Sequence, residues 1–80
     1  MSRFENIPVE PAFTDKVFQW CHANTTQLQS LSKQCGLAPN TLSSSFSLIR
    51  SGRRRHMSVR TLSAIARITG IRAAALPYGA

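Results

Sequence analysis

The sequence predicts an all-α protein, folded as a compact bundle of four to five short helices. Its 80 residues, of which 42% are hydrophobic and 16% charged, suffice for one small core and are too apolar for a disordered polyelectrolyte. Apolar residues recur at the three- and four-residue spacing of amphipathic helices. No segment alternates with the two-residue period of a strand, so no sheet is expected.

The first segment, residues 1–11, contains two prolines and no period, which predicts an extended arm. The first helix is expected to begin between Pro11 and Thr14, because proline is tolerated in a first turn and Thr14 or Asp15 can cap it. Residues 24–26 form a polar capping cluster that separates this helix from the next. The apolar stripe of the first helix is Phe13, Val17, Trp20 and Cys21.

The middle of the chain predicts two short helices joined by a tight turn. Gly36 is expected to stop the second helix in a left-handed conformation. Pro39 favours an extended Ala38 and a new helix that starts at the proline itself. The inward positions of the two helices are Leu28, Leu31, Ser32 and Cys35, then Leu42 and Phe46.

After a basic loop over residues 49–57, Ser58 is the expected N-cap of a fourth helix that Gly70 stops. Residues 73–76 allow a fifth, short helix before Pro77. The predicted organisation is an arm at 1–11, one domain at 12–76 and a tail at 77–80. The inward positions of the fourth helix are Leu62, Ile65, Ala66 and Thr69.

Charge is distributed very unevenly along the chain. All three acids, Glu5, Glu10 and Asp15, lie in the first 15 residues, while residues 16–80 hold nine Lys or Arg and no acid. Because the basic body has few carboxylates for internal ion pairs, most of its positive charge must face solvent or a polyanion. Nucleic acid is the favoured polyanion, an anionic membrane surface comes second, and a basic domain without an anionic target stays open.

The two short helices and their turn fit a helix-turn-helix unit. Leu37 would fill the angle between the helices, and Leu31 and Leu42 would clamp them together. The polar first half of the third helix, at about residues 39–47, is then exposed and able to enter a major groove.

Residues 31–42, which read LSKQCGLAPNTL, resemble the helix-turn-helix of lambda-repressor-like (Cro/repressor, XRE) regulators, particularly phage-type repressors with L-A-K-x-x-G-L-x-P-T. The segment GRRRHMS at 52–58 is similar to their G-R-x-R-W-P-S loop, and TLSAIA at 61–66 to their E-S-x-A-K-I-L helix. Ner-like phage regulators show some likeness as well. The resemblance covers about residues 13–76 and implies a lambda-repressor-like DNA-binding domain.

This resemblance, together with the dense positive charge of the loop after the third helix, predicts two sets of DNA contacts. Asn40 is the best candidate for reading a base, because an Asn amide pairs bidentately with adenine; a capping role for Asn40 and solvated roles for the serines remain alternatives. The predicted base-edge residues are Pro39, Asn40, Thr41 and Ser44. A plain capping role for Thr26 and Gln27 and a solvated charged loop for the arginines also remain alternatives. The predicted phosphate contacts are Thr26, Gln27, Ser43, Ser47, Arg50, Arg53, Arg54, Arg55 and His56.

No catalytic or metal-binding pattern is found. Cys21, His22, Cys35 and His56 match no zinc-ligand spacing, and both cysteines fall on apolar faces, which predicts buried structural thiols. No carboxylate pair or nucleophilic constellation is supported outside the arm. The expectation is a protein that is not an enzyme and has no metal or small-molecule cofactor.

The sequence therefore predicts a sequence-specific transcriptional regulator that binds a double-stranded DNA operator as a homodimer. The arm and residues 71–78 are the expected dimer contacts. Without a membrane span or a signal-peptide pattern in the sequence, a cytoplasmic, nucleoid-associated location is expected. Two alternatives remain open: an antitoxin or adaptor-type protein-interaction module, and an architectural protein that coats DNA without reading its sequence.

Overall fold

The computed structural model describes residues 5–76, which form four α-helices and one small sheet. The mostly helical character confirms the predicted fold class in its coarse form. No helix within these residues is long and apolar enough to cross a membrane. In chain order the elements are β1 (Asn6–Pro8), α1 (Pro11–Ala23), α2 (Leu28–Gln34), α3 (Thr41–Arg50), β2 (His56–Ser58) and α4 (Val59–Thr69).

The two-stranded antiparallel sheet contradicts the prediction that no sheet forms. β1 pairs with β2 in a register that places Ile7 opposite Met57, and both side chains are buried. Two further backbone bonds flank the ladder, from the Val9 amide to the Arg55 carbonyl (2.9 Å) and from the Val59 amide to the Glu5 carbonyl (2.8 Å). Each strand has three residues and one inward side chain, so neither shows an alternating period in the sequence.

α1 begins at Pro11, within the predicted range, but its predicted cap, the start of α3 and the fifth helix differ in the structure. α1 follows Glu10 as N-cap, and Thr14 is instead buried inside the helix, where its hydroxyl donates to the Pro11 carbonyl (2.6 Å). α3 begins at Thr41, since Pro39 lies in a turn closed by the Thr41 amide and the Ala38 carbonyl (3.1 Å). Residues 73–76 form a single turn in place of the predicted fifth helix.

Both predicted ends of α4 are confirmed. The Ser58 hydroxyl accepts a hydrogen bond from the Thr61 amide at 3.2 Å, and Gly70 adopts the left-handed conformation with φ +77°. This cap satisfies one of the amides that the first turn of a helix leaves unpaired. It also fixes the point at which β2 passes into α4.

One hydrophobic core joins all four helices and the sheet. The sequence predicts a core of ten residues: Phe13, Val17, Trp20, Leu28, Leu31, Leu37, Leu42, Phe46, Leu62 and Ile65. Seven of these ten are buried, and Trp20, Leu28 and Leu37 pack half-buried against them. The two segments predicted to form dimer contacts, the arm and residues 71–78, also contribute side chains to this core. These buried side chains pack within their own domain and are not available to a partner. Residues 77 and 78 of the second segment lie outside the described residues. Cys21 is buried, as its place on the apolar stripe of the first helix predicts. The buried core residues that the sequence analysis did not include are Ile7, Val9, Ile49, Met57, Ala64, Ala73 and Leu76.

The link between α1 and α2 contains a strained residue. Thr25 has a φ of +51°, and its amide and that of Thr26 donate to the carbonyls of His22 (3.2 Å) and Cys21 (2.8 Å). This paired arrangement at the end of a helix normally uses glycine, because a side chain in the left-handed region is disfavoured. A β-branched threonine carries this cost in full.

We expect Thr25→Gly to stabilise the protein by about 1 kcal/mol, because relief of the strain exceeds the added entropy of the unfolded chain. Urea denaturation followed by circular dichroism measures the change. Thr26→Gly is the matched control, since Thr26 lacks a positive φ and its replacement should lower stability. A lower urea midpoint for Thr25→Gly would contradict the prediction.

Candidate nucleic-acid interface

α2 and α3 are joined by a turn whose centre is Gly36. Gly36 has a φ of +78°, as predicted for the residue that stops α2. The Gly36 amide donates to the Lys33 carbonyl, and the Leu37 amide donates to the Ser32 carbonyl, both at 2.9 Å. These bonds satisfy carbonyls in the last turn of α2 and turn the chain away from the helix axis.

A buried hydroxyl connects the two helices directly. Ser32 on α2 is fully buried, and its Oγ accepts a hydrogen bond from the Leu42 amide of α3 at 3.1 Å. The bond satisfies an amide in the first turn of α3, which would otherwise be buried without a partner. Leu31, next to Ser32 in the sequence, and Leu42, whose amide makes this bond, are both fully buried, in agreement with the predicted clamp. The angle of α3 is therefore set by both hydrogen bonding and apolar packing.

The predicted base-reading residues lie on the outer side of this unit. Pro39, Asn40 and Ser44 are exposed and Thr41 is half-buried. The Asn40 side chain makes no capping hydrogen bond with α3, which argues against the capping alternative. Ser43 and Ser47 are exposed on α3 as well. The structure thus presents a continuous polar surface at the start and along the outer side of α3.

The arginine loop, residues 51–55, contains a second left-handed glycine near its start. Gly52 has a φ of +80°, and its amide donates to the Ile49 carbonyl (3.2 Å). The amides of Arg53 and Arg54 both donate to the Leu48 carbonyl, at 3.0 and 3.1 Å. These bonds attach the start of the loop to the end of α3. At its other end, the Arg55 carbonyl accepts a hydrogen bond from the Val9 amide of the arm.

The loop is shorter than predicted, because Arg50 belongs to α3 and His56 to β2. Arg53, Arg54, Arg55 and His56 are all exposed. Three arginines and a histidine therefore follow α3 in consecutive positions, and backbone hydrogen bonds hold the loop that carries the arginines.

A polar cleft of about 460 Å³ lies beside this loop. The Arg54 guanidinium borders it, and its Nη1 donates to the Oγ of Ser45 at 3.2 Å. Ser45 is 8% exposed and sits on α3. The cleft is lined by Asn6, Ser45, Arg54, Arg55, His56, Met57, Ser58 and Thr61. Three different parts of the chain, β1 with β2, α3 and α4, therefore meet around the arginines.

Arg50 differs from the loop arginines because it has an acidic partner. Its Nη1 lies 3.4 Å from Asp15 Oδ1 of α1, and its guanidinium carbon lies 5.4 Å from the centre of the Phe18 ring. Arg50 therefore pairs with one of the few carboxylates that the charge distribution leaves for internal ion pairs. The two charged side chains are half-exposed, so the ion pair adds little stability. Through these two contacts Arg50 connects α3 to α1.

Thr26 and Gln27, the other predicted phosphate contacts, precede α2. The Thr26 hydroxyl donates to the Asn24 carbonyl at 3.1 Å, and Gln27 is the exposed N-cap without a side-chain capping bond. α2 has seven residues, so its dipole is small. These two residues consequently offer a weaker anion site than the arginine loop.

Both cysteines belong to the packed interior. Cys21 is buried and Cys35 half-buried. Burial raises the pKa of both thiols, and the nearby positive charge of Arg67 partly opposes the rise at Cys35. Protonated thiols are poor nucleophiles and poor metal ligands. Within residues 5–76, no group of three His, Cys, Asp or Glu side chains is placed to hold a metal ion.

Two site features were missed by the sequence analysis. Ser45 follows Leu42 by three residues and precedes Ile49 by four, so helical spacing alone places it on the inner side of α3. The pairing of the arm with β2 has no comparable signal. Comparisons with known protein families, with curated proteins and with solved structures found no match to this chain.

Proposed function

We propose that this protein is a sequence-specific, double-stranded DNA-binding transcriptional regulator of the repressor type. In this proposal α3 enters the major groove, and the arginine loop with His56 contacts backbone phosphates. One observation carries the proposal: an exposed polar surface on α3 is followed at once by consecutive arginines whose backbone is anchored to the end of that helix.

The exposed side of α3 has the chemistry needed for reading bases. A major groove admits an α-helix, and base edges there offer distinct patterns of donors and acceptors. Asn40, which makes no capping bond, can pair with an adenine, and the Thr41 and Ser44 hydroxyls can meet several bases. The serine side chains are short, so the backbone of α3 can approach the groove closely.

The loop supplies the complementary electrostatic part. Residues 16–80 hold nine Lys or Arg and no acid, and Arg53 to Arg55 are exposed. A guanidinium can donate two parallel hydrogen bonds to phosphate oxygens. Contacts of this kind fix the register of a protein on DNA without reading its sequence.

We also propose that the protein acts as a homodimer. A domain of this size reads one half-site, and linking two half-sites multiplies a modest affinity. The buried side chains of the arm and of residues 73–76 serve the core, so a dimer must use other, exposed groups on these segments or elsewhere.

Selection of bound sequences from a pool of random duplexes tests the function. We expect one enriched motif with two-fold symmetry and a preference for it that persists at physiological salt with competitor DNA. Binding to all duplexes alike, with steep loss in salt, would indicate an architectural protein instead. No appreciable binding to any duplex would favour the antitoxin or adaptor alternative.

We expect Asn40→Ala to weaken binding to the selected site by about 1–3 kcal/mol, because one bidentate base contact is lost. Affinity for random duplexes and the salt dependence should stay nearly unchanged. Fluorescence anisotropy with both kinds of duplex measures the two effects. Equal weakening on all sequences would show that Asn40 does not read a base.

A further inference from the structure

Within residues 51–55, the Arg54 guanidinium is distinguished by a side-chain hydrogen bond. Its Nη1 donates to Ser45 Oγ at 3.2 Å, and its own backbone amide is tied to the Leu48 carbonyl at 3.1 Å. Arg54 is therefore attached to α3 at two points, one at its backbone and one near the end of its side chain.

Ser45 is a rigid anchor for this bond. It is 8% exposed and its neighbour Phe46 is fully buried, so the packing of α3 fixes the position of Oγ. A helical serine often bonds to the carbonyl four residues earlier, whereas this hydroxyl accepts from Arg54. Since a guanidinium has five N–H donors, four remain available for another partner.

We infer that Ser45 is a positioning residue for DNA binding, holding the Arg54 guanidinium in place for a backbone phosphate at the polar cleft. The inference rests on the proposed function. A long side chain that is ordered before binding loses less freedom on binding, so a pre-positioned Arg54 binds more tightly than a freely rotating one. Arg53 and Arg55, which lack such an anchor in the described part of the chain, contribute mainly charge.

The test measures the binding of the full chain to a fluorescent random-sequence duplex at several salt concentrations, because a phosphate contact needs no particular sequence. The variants are Ser45→Ala, Arg54→Ala and the double variant. We expect Ser45→Ala to weaken binding about three- to tenfold, while the slope of log K against log salt stays close to the wild-type value. Arg54→Ala should make that slope shallower by about 0.9.

The double variant separates positioning from a merely structural role. If Ser45 acts through Arg54, then Ser45→Ala has no further effect once Arg54 is alanine. Ser63→Ala, a half-buried serine on α4 away from the cleft lining, is the matched control and should bind as the wild type does. Urea denaturation of every variant shows whether a loss of binding merely reflects unfolding.

Ser45→Cys provides a second variant if Ser45→Ala does not fold, because it fills the site with a slightly larger thiol that is only a weak acceptor. It should likewise weaken binding without altering the slope. Multiplicative effects of Ser45→Ala and Arg54→Ala, or wild-type binding by a folded Ser45 variant, would overturn the inference and leave the proposed function intact. Absence of duplex binding by the wild-type chain would overturn both.

Discussion

Neutralising Arg53, Arg54 and Arg55 together, each to Gln, is expected to weaken binding to every duplex on the order of a hundredfold at physiological salt. Each lost phosphate contact removes about 0.9 from the slope of log K against log salt, so three contacts remove about 2.7. The loss should be equal for selected and random sequences, because phosphates carry no direct sequence information.

The matched control removes positive charge elsewhere on the domain. Lys16 on α1 and Arg67 on α4 are exposed and outside the candidate interface. We expect Lys16→Gln combined with Arg67→Gln to weaken binding far less per removed charge than the three arginine substitutions do. The reason is that counterions are released where a cationic side chain contacts a phosphate, and not by the net charge of the protein. Anisotropy titrations at several salt concentrations measure both sets of variants.

The comparison with Asn40→Ala also tests the direction of docking. The arginine variants should change the salt slope, and Asn40→Ala should change sequence preference. If the arginine variants changed the preferred sequence while Asn40→Ala weakened all duplexes equally, then the loop and not α3 would occupy the groove.

Leu31→Ala is expected to lower the free energy of unfolding by about 2–5 kcal/mol. Leu31 is fully buried in α2, at the junction with α3, so its removal leaves a cavity beside Leu42 and the Ser32 hydrogen bond. Because small domains have about 5–15 kcal/mol of stability in total, a large part of the population could unfold.

Urea denaturation by circular dichroism measures this effect, with Leu28→Ala as the control. Leu28 lies on the same helix and is half-buried, so its truncation removes less buried surface and should cost less. An unchanged midpoint for Leu31→Ala would show that the helix-turn-helix is not held by this core.

The local sequence determined most of the helical framework. Gly36 and Gly70 end helices as predicted, and Ser58 caps α4, because caps and stops depend on a few neighbouring residues. Leu31, Leu42 and Phe46 are buried as their spacing predicts. The exposed polar surface of α3 follows from the same periodicity, since apolar positions on one side leave the polar ones on the other.

Only the tertiary structure decided the pairing of the arm with β2 and the contacts of the arginines. Ile7 and Met57 are 50 positions apart in the chain, and three-residue strands are too short to show a period. Their pairing therefore depends on the shared core against which both side chains are buried. The partners of Arg50 and Arg54 likewise come from α1 and from the inner side of α3. Such contacts depend on how helices pack in space, and no local spacing encodes them.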